Sequence, residues 1–191
     1  MTKKLKNTLI CTAGGIGKRF ASKYPKQFYK IHDQEILIQT LKNFEDYHFN
    51  QIILTTPKEF KKKTIAILSK YKLDTNVEVI IGGETRAQSV KNGFIALKPC
   101  DNVIIHDAVR PFITKNMIDK LLCALKTNAA VIPGCLMTDT VKEISQNKVV
   151  RTLPRNNLIR VQTPQGFHYD LLKEAYDKVV LSESITDESM L

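Results

Sequence analysis

Along most of this chain, short β-branched apolar runs alternate with amphipathic stretches of helical length. Strands covered on both faces read as continuous apolar runs, whereas strands with one wet face alternate. The pattern therefore points to a mostly parallel sheet with helices on both sides. Strands are predicted near residues 8–12, 51–55, 77–81, 103–106 and 130–133. Between them, Ala87, Val90, Phe94 and Leu97 recur at helical spacing, as do Ile118, Leu121, Leu122 and Leu125, and each set would lay one apolar stripe on the sheet. The expected fold is α/β and Rossmann-like.

From Asp139 the rhythm changes. D-T-V-K-E-I and K-V-V-R-T-L flank S-Q-N and alternate with period two, the pattern of a hairpin. A projecting β-arm is expected at about 139–153, and its Val141, Val149 and Leu153 would need a surface to bury against, because an isolated two-stranded ribbon is marginal. Strand character resumes near 158–162, and a helix is expected over 169–180. No repeat, low-complexity stretch or linker is visible, so residues 1–191 are read as one domain, long enough to bury a core.

The net charge of +10 suits nucleic acid, an anionic membrane or a polyanionic small substrate. The densest basic run, K-E-F-K-K-K at 58–63, falls on a predicted helix without a ladder of stacking aromatics, so it reads as a solvated face and nucleic acid is not an expected partner. There is no apolar run of about eighteen residues and no charged-then-apolar leader, so no membrane association and a cytoplasmic location are expected. Cys11, Cys100, Cys123 and Cys135 form no C-x-x-C pair and no zinc-site spacing, and are expected to be reduced and partly buried.

Three segments carry chemistry. The first, C-T-A-G-G-I-G-K-R-F at 11–20 with P-K-Q at 25–27, follows a predicted strand. Its glycines let the backbone approach a ligand, successive N–H groups can cup phosphate oxygens, and Lys18, Arg19 and Lys26 supply cations for the same anion. A Walker loop would need Ser or Thr where Arg19 stands, and a dinucleotide fingerprint would need Gly at Phe20, so this is a phosphate loop of another type. The second, G-G-E-T-R-A-Q-S at 82–89, ends a strand and opens a helix; it reads either as a ligand loop with free helix-start donors or as a glycine turn with Glu84 as the helix cap. The third is H-D-A-V-R-P-F at 106–112. Asp107 at a strand's carboxyl end suits Mg2+ or another divalent cation, with Arg110 to orient it or meet a phosphate. His106 is read as a hydrogen-bonded structural residue ahead of a general base. Arg155 in P-R-N-N-L, Q-T-P-Q at 162–165 and S-I-T-D-E at 184–188 add more polar groups than one nucleotide needs, which hints at a second phosphorylated ligand.

Taken in order, A-G-G-I-G-K-R, P-K-Q-F, G-G-E-T-R-A-Q-S-V, H-D-A-V-R-P-F, D-T-V-K, R-N-N-L, Q-T-P-Q-G-F and T-D-E-S resemble the 2-C-methyl-D-erythritol 4-phosphate cytidylyltransferase family from about Leu9 onward. The resemblance implies transfer of the cytidylyl group of CTP to a polyol phosphate in non-mevalonate isoprenoid synthesis. It implies Arg19 and Lys26 as catalytic cations. Ala13, Gly14, Gly15, Gly17, Gly83, Glu84, Ser89, Asp107 and Ala108 would bind nucleotide, with Asp107 serving Mg2+. Arg110, Arg155, Thr163 and Thr186 would serve the acceptor, with Arg155 reaching it across a homodimer interface made by the arm. The family more often has Ala at Gly14 and Asp at Glu84, and it continues past the position of Leu191 through a lysine-bearing strand. Related ribitol 5-phosphate cytidylyltransferases share much of this wording and stand as the alternative acceptor reading. A non-catalytic nucleotide-binding protein is the alternative of another class.

Overall fold

The computed structural model describes residues 5–14, 24–179, 185 and 187–191. The main sheet contains β1 (Asn7–Thr12), β4 (Gln51–Thr56), β5 (Val77–Ile81), β6 (Asn102–Asp107), β7 (Ala130–Val131) and β12 (Gln165–His168). Its order is β5-β4-β1-β6-β12-β7. β1 pairs in parallel with both β4 and β6, β4 pairs in parallel with β5, and β12 runs antiparallel to β6 and β7. A minor hairpin, β2 (Lys30–Ile31) with β3 (Gln34–Glu35), leads into α1 (Ile36–Lys42). The remaining helices are α2 (Lys61–Leu68), α3 (Arg86–Ile95), α4 (Lys115–Ala124) and α5 (Tyr169–Lys178).

The two faces of the sheet follow from strand alternation. Leu9, Cys11, Ile52, Leu54 and Ile104 pack with Leu37 and Leu41 of α1, Ile67 of α2 and Ile118 and Leu121 of α4. Ile10, Ile53, Val103, Ile105 and Phe167 pack with Val90 and Phe94 of α3 and Leu172 and Tyr176 of α5. The result is three layers with β1 at the centre. Beyond β1 the chain builds outward to β4 and β5, then returns to place β6 on the other flank. The reversal between β1 and β6 is a topological switch point, where open α/β sheets leave a crevice beyond the strand ends. Thr12 and Asp107 stand opposite each other there.

The parallel frame agrees with the sequence, with strand ends moved by one residue and the last helix ending at Lys178. The stretch read as one strand at 130–133 splits: after Pro133, which has no amide proton for a ladder, β8 (Gly134–Leu136) pairs instead with β11 (Ile159–Val161). The hairpin is present as β9 (Val141–Ser145) and β10 (Lys148–Leu153). Its apolar side differs from the expectation. A bulge between Val149 and Arg151 shifts the register, so Val149 lies opposite Ile144 while Leu153 lies opposite Val141. One extra residue moves a side chain to the other face, so Val149 is turned away from Val141 and Leu153. Ile144, Val149 and Val150 are each more than half exposed. Of the cysteines, Cys11 is buried, Cys100 is half-buried, and Cys123 and Cys135 are exposed, so burial holds for two.

Candidate active site

The first glycine segment is rooted rather than loose. The Ala13 amide donates to the Thr55 carbonyl at 2.8 Å, and Gln27 Nε2 donates to the Ala13 carbonyl at 2.8 Å. Gln27 and Phe28 are buried in the short 3-10 turn Lys26–Phe28, which leaves half-buried Lys26 beside the root of the loop. Gly15, Gly17 and Arg19 lie outside the described residues, as does Thr186.

The second glycine segment packs on the first through Ser89. Its hydroxyl donates to the Thr85 carbonyl at 2.9 Å and accepts from the Gly83 amide at 3.0 Å. A Cβ at Gly82 would stand 2.7 Å from Ser89 Oγ, and one at Gly14 would stand 3.1 Å from it, so the approach of both segments needs small residues. Ser89 is buried and organises the loop, while Glu84 is exposed at its rim. The helix cap is Thr85, not Glu84: Thr85 Oγ1 accepts from the Gln88 amide and Gln88 reaches back to the Thr85 amide, a capping box on α3. Glu84 misses the role because it sits one residue too early.

Asp107 ends β6 with a side chain 19% exposed. Arg86 Nε donates to its Oδ1 at 3.1 Å, Arg110 Nε donates to its Oδ2 at 2.8 Å, and Thr12 Oγ1 lies 3.4 Å from Oδ1. Burial pushes the Asp107 carboxyl up, but the two guanidiniums outweigh it and hold the group below the usual carboxylate range. Arg110 also donates through Nη1 to Gln162 Oε1. Arg86 reaches further, with Nη1 donating at 2.7 Å to Oε2 of the buried Glu188. Burial pushes the Glu188 carboxyl above its ordinary value despite this partner. Burial pulls the Arg86 guanidinium down, and its two carboxylates hold it above its ordinary value.

His106 is completely buried and both ring nitrogens are engaged. Nε2 lies 3.1 Å from the Arg110 carbonyl and Nδ1 lies 2.9 Å from Thr163 Oγ1. A carbonyl can only accept, so the proton sits on Nε2, Nδ1 accepts, and Thr163 donates. The Thr163 oxygen in turn receives the Asp107 amide at 3.4 Å. Burial takes the His106 imidazole down to about 4, so it is neutral near pH 7. These contacts make it the structural residue expected from sequence. Thr163 is also buried, with its hydroxyl proton spent on His106.

Ala108, expected at the nucleotide, is wholly buried; its amide donates to the Thr12 carbonyl and its carbonyl accepts from Thr40 Oγ1. These bonds fix the backbone just after Asp107 at the floor of the crevice. Arg155 follows the arm in a 3-10 turn and donates to the Thr138 carbonyl at 2.7 Å, exposed and not bonded to the Asp107 cluster. The structure thus gathers Ala13, Gly14, Gly83, Ser89, Asp107, Arg110 and Thr163 around the ends of β1, β4, β5 and β6, and adds Arg86, Glu188 and Gln162. Arg86 had one sequence signal: a cation in the first turn of a helix opposes the helix dipole, so it needs a carboxylate nearby.

Among the described residues no three His, Cys, Asp or Glu side chains gather as a metal cluster. A divalent cation here would draw most ligands from water and phosphate, the common arrangement for Mg2+, with one or two carboxylates. Asp107 suits that arrangement. Its Oδ2 accepts only from Arg110 among the described residues and keeps a lone pair free.

Comparison with known proteins agrees with this geometry. The family model for 2-C-methyl-D-erythritol 4-phosphate cytidylyltransferase matches residues 8–191. The protein of that name from Caldicellulosiruptor bescii is 39% identical, aligned over 96% of this chain and 82% of its own. That from Clostridium botulinum (strain Eklund 17B) is 38% identical over 95% and 83%. The crystal structure of 4-diphosphocytidyl-2C-methyl-D-erythritol synthase from Anaerococcus prevotii superposes with a TM-score of 0.83 at 32% identity, covering 97% of this chain and 82% of that one. By motif order, fold and extent of match, this chain belongs to the 2-C-methyl-D-erythritol 4-phosphate cytidylyltransferase family.

Proposed function

We propose that this chain transfers the cytidylyl group of CTP to 2-C-methyl-D-erythritol 4-phosphate, giving 4-diphosphocytidyl-2-C-methyl-D-erythritol and pyrophosphate. The observation that carries the reading is the family match across residues 8–191, which spans every segment at the switch-point crevice. The acceptor's phosphate monoester is largely dianionic near neutral pH, so it attacks without a general base. A neutral His106 with both nitrogens committed is consistent with that. A new P–O bond forms at the α-phosphorus as the bond to the β-phosphate breaks in line, and pyrophosphate departs with the electron pair.

The barrier lies in bringing one anion onto another. Arg19 and Lys26 would neutralise the triphosphate, and their effect grows as charge moves to the leaving group. Gly14, Gly15 and Gly17 would offer backbone donors, and Gly83, Glu84 and the loop held by Ser89 would receive the nucleoside. Asp107 would hold a divalent cation, which supplies charge neutralisation and alignment when bound. Arg110 is kept in place by Asp107 and Gln162 and would meet the acceptor with Thr163 and Thr186. No helix among the described residues is long and apolar enough to cross a membrane. Exposed Ile144, Val149 and Val150 support a homodimer joined through the arm, which would bring each Arg155 to the other subunit's acceptor.

Pyrophosphate release with CTP and Mg2+ tests the reading, comparing 2-C-methyl-D-erythritol 4-phosphate with ribitol 5-phosphate. Turnover with the first is expected to exceed that with the second by at least about 100-fold in kcat/KM, the discrimination available to a site built around a substrate's polar groups. Preference for ribitol 5-phosphate would reverse the assignment.

A further inference from the structure

Arg86 occupies the first turn of α3, where the helix dipole disfavours a cation. Nevertheless it is three-quarters buried and divides its guanidinium between two carboxylates from distant parts of the chain. Nε serves Asp107 at 3.1 Å and Nη1 serves Glu188 at 2.7 Å. Glu188 belongs to the turn Glu188–Met190, and its side chain is fully shielded from solvent. Arg86 is its only ion-pair partner among the described residues. The described residues give no hydrogen-bond partner to Arg86 Nη2, Glu188 Oε1 or the hydroxyl of Tyr176, all buried. Such an arrangement is expensive as a stability device, because a buried ion pair with unsatisfied atoms is commonly no better than an apolar replacement. It does supply a fixed link, since only a guanidinium donates through separate nitrogens to two carboxylates in a set geometry.

We propose that Arg86 is a positioning residue that clamps the turn at 187–191 against the strand-end carboxylate of Asp107, so that the acceptor side and the nucleotide side of the site are held in one register. The link to the acceptor rests on the proposed function, in which Thr186, adjacent in sequence to Asp187, meets the acceptor phosphate. Within the turn, Asp187 Oδ1 accepts from the Ser189 amide at 2.9 Å, the Met190 amide donates to the Asp187 carbonyl at 3.3 Å, and the Leu191 amide donates to the Glu188 carbonyl at 3.3 Å. Leu191 packs partly on the α3–α5 side of the core. Without the clamp, the turn loses its register with Asp107 and its internal bonds open more often.

The test separates clamping from stability. Arg86→Met leaves Glu188 uncompensated and should melt well below wild type, whereas Arg86→Met with Glu188→Leu removes both charges and should regain most of that loss. In the double variant, the acceptor KM is expected to rise by about tenfold or more while the CTP KM stays within about threefold, a split that a purely structural pair would not leave after stability returns. Exchange of the Ser189 and Leu191 amides should quicken by about tenfold or more. Glu188→Gln, which still accepts from Arg86, should keep the acceptor KM within about threefold of wild type. A folded double variant with wild-type acceptor KM overturns the proposal. If the double variant does not fold, Arg86→Lys takes its place, with an acceptor KM raised by about fivefold or more expected and an unchanged value overturning the clamp. Wild-type turnover is measured first; its absence removes the proposed activity, and the clamp then stands or falls on the amide exchange alone.

Discussion

Replacing Thr163 by Val keeps the shape of the side chain and removes one hydroxyl on which two buried groups depend. His106 Nδ1 loses its donor at 2.9 Å, and the Asp107 amide loses its acceptor at 3.4 Å. The imidazole cannot rescue itself by changing tautomer, because Nε2 must keep its proton for the Arg110 carbonyl at 3.1 Å. Each orphaned buried polar group costs about 1–3 kcal/mol. The longer amide contact contributes at the low end, so the sum is about 3 kcal/mol. For a chain of this size each kcal/mol moves the melting temperature by about 2–4 °C, which places Thr163→Val about 6–12 °C below wild type. Thr163→Ser keeps the hydroxyl and loses one methyl, worth about 0.8 kcal/mol, and should fall by only about 2–3 °C. Thermal melts followed by circular dichroism decide it. A Val variant melting within about 2 °C of wild type would show that the hydroxyl does not hold His106, and the tautomer argument would fail.

Four further outcomes are expected. Arg19→Ala and Lys26→Ala should each lower turnover by about 100-fold or more with an unchanged melt, since their stabilisation is largest in the transition state; near-normal turnover in a folded double variant contradicts this. Chelation with EDTA should abolish pyrophosphate release, and Asp107→Asn should lower it by about 100-fold at limiting Mg2+; full activity of Asp107→Asn there removes Asp107 as the metal ligand. In the metal-free protein, His106 titrates at about 4 against an ordinary 6.5, so the stability from keeping it neutral is complete above about 6.5 and is lost as pH falls toward 4, by up to about 1.4 kcal/mol per pH unit. Resonances assigned to the His106 ring that titrate between pH 8 and 5.5 would refute that. Mixing an Arg155→Ala chain with an Arg19→Ala chain should restore activity, because one site of each mixed dimer would hold both arginines; no recovery despite proven subunit exchange refutes site sharing.

What could be read in the sequence and what could not divide along physical lines. β1, β4 and β6 were legible because strands buried on both faces read as apolar runs, β5 at the sheet edge was legible through its valines and isoleucines, and the position of Asp107 followed from β6 alone. β12 was not predicted. Its four residues, Gln165 to His168, are too few to show a period, and what makes them a strand is the edge of β6 beside them. The arm was visible through its alternation, yet the orientation of Val149 was not, because a bulge leaves composition unchanged while moving a side chain across the sheet. The same limit applies with more force at the site. Glycine loops announce themselves locally, since the backbone's approach must be encoded where it occurs. Arg86 and Glu188 stand 102 positions apart, and neither has a neighbour that explains it. Each violates a local preference, the one as a cation at a helix start and the other as a carboxylate fully shielded from water. Only the first of these is written in the sequence; the shielding of Glu188 arises when the fold brings the turn at 187–191 back to the end of β6, and the ion pair becomes visible only then.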